Sequence, residues 1–172
     1  MLGIPLALVT AGAFEWWAHK YVLHQQGRRR GNFWSFHYHE HHSHSRRDEM
    51  RDVDYARSPL QWNAQGKELA ALGAMALPIV AVSPWIPWWS LTSLACLVNY
   101  YRVHKRAHLD PEWARTHLPW HYDHHMGPDQ DQNWGVTWPW MDWLMRTRVP
   151  YAGTDKELAD RARRAKAIAP AA

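Results

Sequence analysis

The sequence predicts an all-α integral membrane protein with one N-terminal apolar helix, an apolar helical hairpin and a histidine-rich helical cap on the cytoplasmic side. Three observations predict it: three apolar runs of helical length, a Pro/Trp turn free of basic residues between two of them, and four histidine clusters at or between the run ends. The mean hydropathy of −0.56 argues the other way. That average counts thirteen His and thirteen Trp as polar, although a metal-bound His is buried and Trp favours membrane interfaces.

Residues 2–18 (LGIPLALVTAGAFEWWA) are apolar apart from Thr10 and Glu15, and no basic residue precedes them, so they read as a helix that begins in the membrane and ends at its surface rather than as a cleaved leader. Residues 25–68 are polar with mixed charge, and residues 69–82 are apolar again. The turn at 83–89 (SPWIPWW) carries two Pro and three Trp, and residues 90–103 form the third apolar run, completing a hairpin with its Trp side chains at the far interface. Each run is shorter than the ~20 residues of a full span, so the hairpin either crosses a thin bilayer or dips in without crossing. The absence of Lys and Arg from the turn and from the residues before the first run puts the basic segments on the cytoplasmic side. The tail opens with Thr154-Asp155-Lys156-Glu157, a capping-box pattern, and reads as a solvated Ala/Arg-rich helix ending near Pro170.

Composition excludes several functions. The single cysteine, Cys96, cannot form an internal disulfide, a zinc finger or an iron–sulfur site. The net charge is +4, but the aromatic residues are not interleaved with the basic ones as a nucleic-acid stacking platform requires. No nucleotide-binding Gly-rich loop or haem-attachment motif is present.

The four clusters carry the chemistry. They are His19 and His24 in HKYVLH; His37, His39, His41, His42 and His44 in FHYHEHHSHS; His104 and His108 in HKRAH; and His121, His124 and His125 in HYDHH. Side chains three or four apart share a helix face, so His104 with His108, and His121 with His124 and His125, can converge. His19 and His24 are five apart and diverge on an α-helix, which predicts ligation of different ions or a frayed helix end. About ten imidazoles at one depth are costly unless their lone pairs bind metal, and four or five nitrogens per ion imply two ions. An all-nitrogen site needs carboxylates behind it, and Glu15, Glu40, Asp110, Asp123, Asp142 and the amide of Asn133 are the candidates.

In the order HKYVLH, HYHEHH, HKRAH and HYDHH, with the hairpin between the second and third, the sequence resembles the fatty acid hydroxylase / sterol desaturase / carotene hydroxylase superfamily of membrane-bound histidine-box di-iron enzymes. The segment NWGVTWPWMDWLMRT at 133–147 is similar to the fatty acid and sterol members, whereas the small size and HKYVLH are more like bacterial carotene hydroxylases. The resemblance implies a di-iron hydroxylase domain over residues 1–150, a separate basic tail at 151–172, and metal ligands His19, His24, His37, His41, His42, His104, His108, His121, His124 and His125. The second box is His-x3-His-His where many members have His-x2-His-His, which leaves His37, His39 and His44 as competing ligands; His117 belongs to no box. It also implies two Fe ions (replaceable by zinc in purified protein), O2 as co-substrate, hydroxylation or desaturation of a lipid such as a fatty acyl chain, sterol or carotenoid, and a separate ferredoxin, rubredoxin or cytochrome as electron donor. A zinc-dependent membrane hydrolase and a non-catalytic metal-binding membrane protein are the competing readings of the same histidines.

Overall fold

The computed structural model describes residues 2–168 and contains helices but no strands among them. Helix α1 (Gly3–Trp17) continues without a break into a π-helical stretch, Ala18–Gln26. A second π-helical turn, His37–His41, leads into α2 (His42–Arg47), and a 3-10 turn, Val53–Ala56, precedes α3 (Ala64–Ala81). Then come α4 (Pro87–Leu109), α5 (Pro111–His117), α6 (Pro119–Met126), α7 (Trp140–Leu144) and α8 (Asp155–Ile168).

The hairpin forms as the sequence predicts. Asn63 caps α3 by accepting the Gly66 N–H, and Pro87 opens α4 at a position where its missing N–H costs nothing. Helix α1 packs along α4, and α7 closes against α1 where Gly12 leaves room for the indole of Trp140, which a Cβ would strike. Short helices α5 and α6 fold back beneath the end of α4 around Ala107, Ala114, Leu118, Tyr122 and Met126.

The expected membrane spans are not supported: among the described residues no helix is long and apolar enough to cross a membrane. The cause lies in how each helix is divided. The α-helical part of α1 has 15 residues, and its continuation carries Lys20 and two histidines. Helix α3 begins with Gln65, Lys67 and Glu68, while α4 ends with Arg102, Lys105 and Arg106. Each helix therefore has a polar end at the histidines and an apolar end away from them. The apolar ends are uncovered, with Leu6 and Val9 of α1, Leu77 and Val80 of α3, and Leu91 and Val98 of α4 exposed.

The C-terminal tail does form a capped helix, with Thr154 Oγ1 accepting from the Glu157 N–H. It is docked rather than free, because Glu157 is fully buried and takes two hydrogen bonds from Arg115 of α5 at 2.6 and 2.8 Å, and Arg161 reaches Glu112. The expected end of this helix near Pro170 lies outside the described residues.

Candidate metal centre

All ten histidines of the expected ligand set are buried, at 3% exposure or less, and meet in one place. They divide into two adjoining groups. In the first, His19, His24, His37, His42 and His124 each bring a ring nitrogen within 4.8 Å of the others; in the second, His41, His104, His108 and His125 do the same. His121 flanks the second group, its Nε2 lying 3.1 Å from that of His108. The groups touch through the stacked rings of His42 and His125, whose centroids are 4.2 Å apart.

The division follows from local backbone. A π-helix closes i→i+5 hydrogen bonds, so residues five apart stack on one face. That winding puts His19 and His24 together in the first group, as it does His37 and His42. The predicted divergence or fraying of His19 and His24 is thereby corrected. His41 and His42 are consecutive and point to different groups, and the last cluster divides likewise, with His124 in the first group, His125 in the second and His121 beside it. The competing histidines of the second box lie in different places. His37 joins the first group, while His39 contacts the Arg28 carbonyl at 3.0 Å and His44 reaches Asp52 at 3.3 Å, both partly exposed. His117 is exposed and stacks on Trp113.

Whether these residues fit metal ions is decided by their tautomers. His19 Nδ1–H donates to the Trp134 carbonyl at 2.6 Å, His124 Nδ1–H to Gln132 at 2.7 Å, and His108 Nδ1–H to Met50 at 2.8 Å. His41 Nδ1–H donates to Asp52 at 2.8 Å and His104 Nδ1–H to Glu68 at 3.0 Å. Each of these five rings, when neutral, then carries its lone pair on Nε2, facing inward. In the second group the Nε2 atoms of His41 and His104 and both ring nitrogens of His125 are buried without a hydrogen-bond partner. Burial first, then the repulsion of neighbouring imidazoles, holds the protonation of His19, His24, His37, His41, His42, His108, His121 and His125 well below the ordinary range. His124 falls to about 3, mainly through burial. Inward-facing ring lone pairs gathered in this way form a donor set suited to transition-metal ions.

The acids expected behind the histidines are occupied elsewhere. Glu15 accepts the backbone N–H of Val136 at 2.6 Å and of Thr137 at 2.9 Å, tying α1 to the segment after the last histidines. Asp142 accepts the N–H of Trp134 and Gly135, both at 2.8 Å, and so sets the carbonyl that His19 uses. Asn133, held at φ 59°, binds Val149 in both directions. Asp123 pairs with Arg148 at 2.7 Å, Asp110 caps α5, and Glu40 pairs with Lys67 at 2.7 Å. The carboxylates that accept hydrogen bonds from the clustered histidines are Asp52 and Glu68, the latter also accepting from Tyr55 O–H. Neither stands near its histidine in sequence (Glu68 and His104 are 36 residues apart), so no local signal marks them.

A cavity of about 880 Å³ opens beside the centre between α1, α3 and α4. His19, His37 and His104 form its polar end, and it runs past Leu72 and Met75 to Leu8, Pro78 and Trp89 at the apolar end of the bundle.

A profile described as fatty acid hydroxylase matches residues 4–147. The chain belongs to the fatty acid hydroxylase family. No curated protein and no solved structure matches it. Family membership and the buried histidine groups together support a lipid hydroxylase-type oxidoreductase with a metal-binding centre. The family match ends at Thr147, just after the segment that Asp142 and Glu15 hold against the centre.

Proposed function

We propose that this fatty acid hydroxylase family member is a two-iron oxygenase that hydroxylates or desaturates a lipid taken from a bilayer, using O2 and electrons from a separate carrier. The observation that carries the proposal is the joining of two buried groups of imidazoles to one long apolar cavity. The first group and the second would each hold one ion through inward Nε2 lone pairs. Bound iron would supply the dioxygen chemistry needed to remove hydrogen from an unactivated C–H bond, which side chains alone cannot do. The chain's own residues do the rest. The cavity walls align an apolar substrate with its reacting carbon at His19, His37 and His104 and exclude water from that end, and Asp52, Glu68 and the Trp134 and Gln132 carbonyls fix the imidazole tautomers.

The uncovered Leu, Val and Trp side chains at the far ends of α1, α3 and α4 support a seat in the bilayer, the hairpin dipping in without crossing and the centre lying at the cytoplasmic surface. The exposed Arg29, Arg30 and Arg47 at the polar end suit an acidic electron carrier. The test is conversion of candidate lipids by iron-loaded protein with a reductase system, in air and under nitrogen. Oxygen-dependent product supports the proposal. Turnover that persists without oxygen or reductant contradicts it and points to zinc-type hydrolysis.

A further inference from the structure

The two histidine groups differ in what stands behind them. In the second group, His41 donates to Asp52 and His104 to Glu68, and these carboxylates are 0% and 6% exposed. In the first group the partners are neutral: the Trp134 carbonyl behind His19, the Gln132 carbonyl behind His124, and the Gln130 amide 2.9 Å from His42. The acid nearest this group is Asp131, 3.8 Å from His24 Nδ1. Its side chain is 46% exposed and held by Arg28 at 2.5 Å, so its charge is both screened and already compensated.

We infer that the two metal sites are unequal, the one at His41, His104, His108 and His125 holding its ion more tightly, and the one at His19, His24, His37, His42 and His124 filling last and emptying first. The inference rests on the two-ion reading proposed above and adds an order to it. The physical argument is charge. A divalent ion among neutral imidazoles in a buried site needs compensation, and interactions there are little screened. Two carboxylates, each one imidazole ring away, supply two negative charges to the second site and make His41 and His104 more basic donors. Carbonyl and amide dipoles supply less to the first site. The cavity reaches both sites, at His19 and His37 of the first and His104 of the second, so access differs only on the opposite side. The first site is roofed by the segment 128–132, where Pro128, Asp129 and Asp131 are exposed, whereas in the second His41 and His104 pack against Tyr55 and His108 meets the Met50 carbonyl, residues that are 1% and 0% exposed.

The test is a chelator challenge of full-length protein loaded with Fe2+ under nitrogen, with iron per chain followed by elemental analysis against time. The expected result is loss in two steps, the first ion leaving at least about tenfold faster than the second, a ratio in line with the affinity contributed by groups behind metal ligands. Asp52→Asn with Glu68→Gln should speed the slow step about 10–100-fold and leave the fast one nearly unchanged. If that pair fails to fold, single-ligand variants decide the matter: His37→Ala should keep one slowly lost ion, and His104→Ala only a rapidly lost one. Two ions that leave together in the unaltered protein, or carboxylate variants that speed only the fast step, would overturn the inference and leave the two-ion reading standing. Folded protein that takes up no iron would overturn both.

Discussion

At one end of α1, α3 and α4 the chain buries ten imidazoles, most of them oriented by a specific hydrogen-bond partner; at the other end the same three helices turn Leu6, Val9, Leu77, Val80, Leu91 and Val98 outward, each more than half exposed. The polar end specifies geometry, because a lone pair is useful in only one direction. The apolar end specifies only a solvent, because apolar burial is not directional. A substitution at the first should therefore act on metal and chemistry, and one at the second on the association of the protein with lipid.

The comparison breaks first at the ligands. His108→Ala and His124→Ala, one from each group, should reduce activity by at least about 100-fold and lower bound metal, because each removes an inward lone pair. His39→Ala and His117→Ala, which lie outside both groups, should leave metal content unchanged. Elemental analysis alongside turnover separates the two sets.

Acidity comes next. Burial and mutual repulsion lower the pKa of clustered imidazoles such as His37, His41, His42 and His125 in the folded state, and burial takes His124 from 6.5 to about 3. Below pH 6.5 the unfolded chain binds protons that the folded chain refuses, so stability falls as pH drops from there toward about 3. Metal-depleted protein should show a thermal midpoint that is flat above pH 7 and falls steeply between pH 6 and pH 4, the pH range in which ordinary His protonates. A midpoint unchanged down to pH 4 would mean that these imidazoles are not buried together.

The join between the two ends is weaker and should respond less. Glu15→Ala leaves the N–H groups of Val136 and Thr137 without their acceptor, a cost of about 2–3 kcal/mol read from denaturant unfolding. Glu15→Gln keeps an acceptor and should recover about half of it. The smallest effect belongs to the apolar end, where Leu91→Asn or Val80→Asn should weaken vesicle association about tenfold each and leave iron content untouched.

The parts of the molecule that could be read in the sequence were those with local causes. The hairpin follows from two apolar runs around Pro84 and Pro87, and the gathering of histidines follows from their helical spacing. The π-helical winding that pairs His19 with His24 was hidden, because a five-residue spacing reads as divergence at the α-helical period. Asp52 and Glu68 were hidden because their partners are chosen by packing. Glu15, in helical register with His19, was the natural candidate, yet its carboxylate turns to Val136 and Thr137. Length and polarity misled in the opposite direction. The apolar runs resemble spans only until the charged residues on their polar ends are counted within the same helices.

The central claim, that nine imidazoles flanked by His121 form two adjoining metal sites, is tested most directly by the metal content of the purified full-length protein from iron-supplemented cells, measured per chain by elemental analysis. The account predicts close to two transition-metal ions per chain, chiefly iron. One ion or none in folded protein would contradict it.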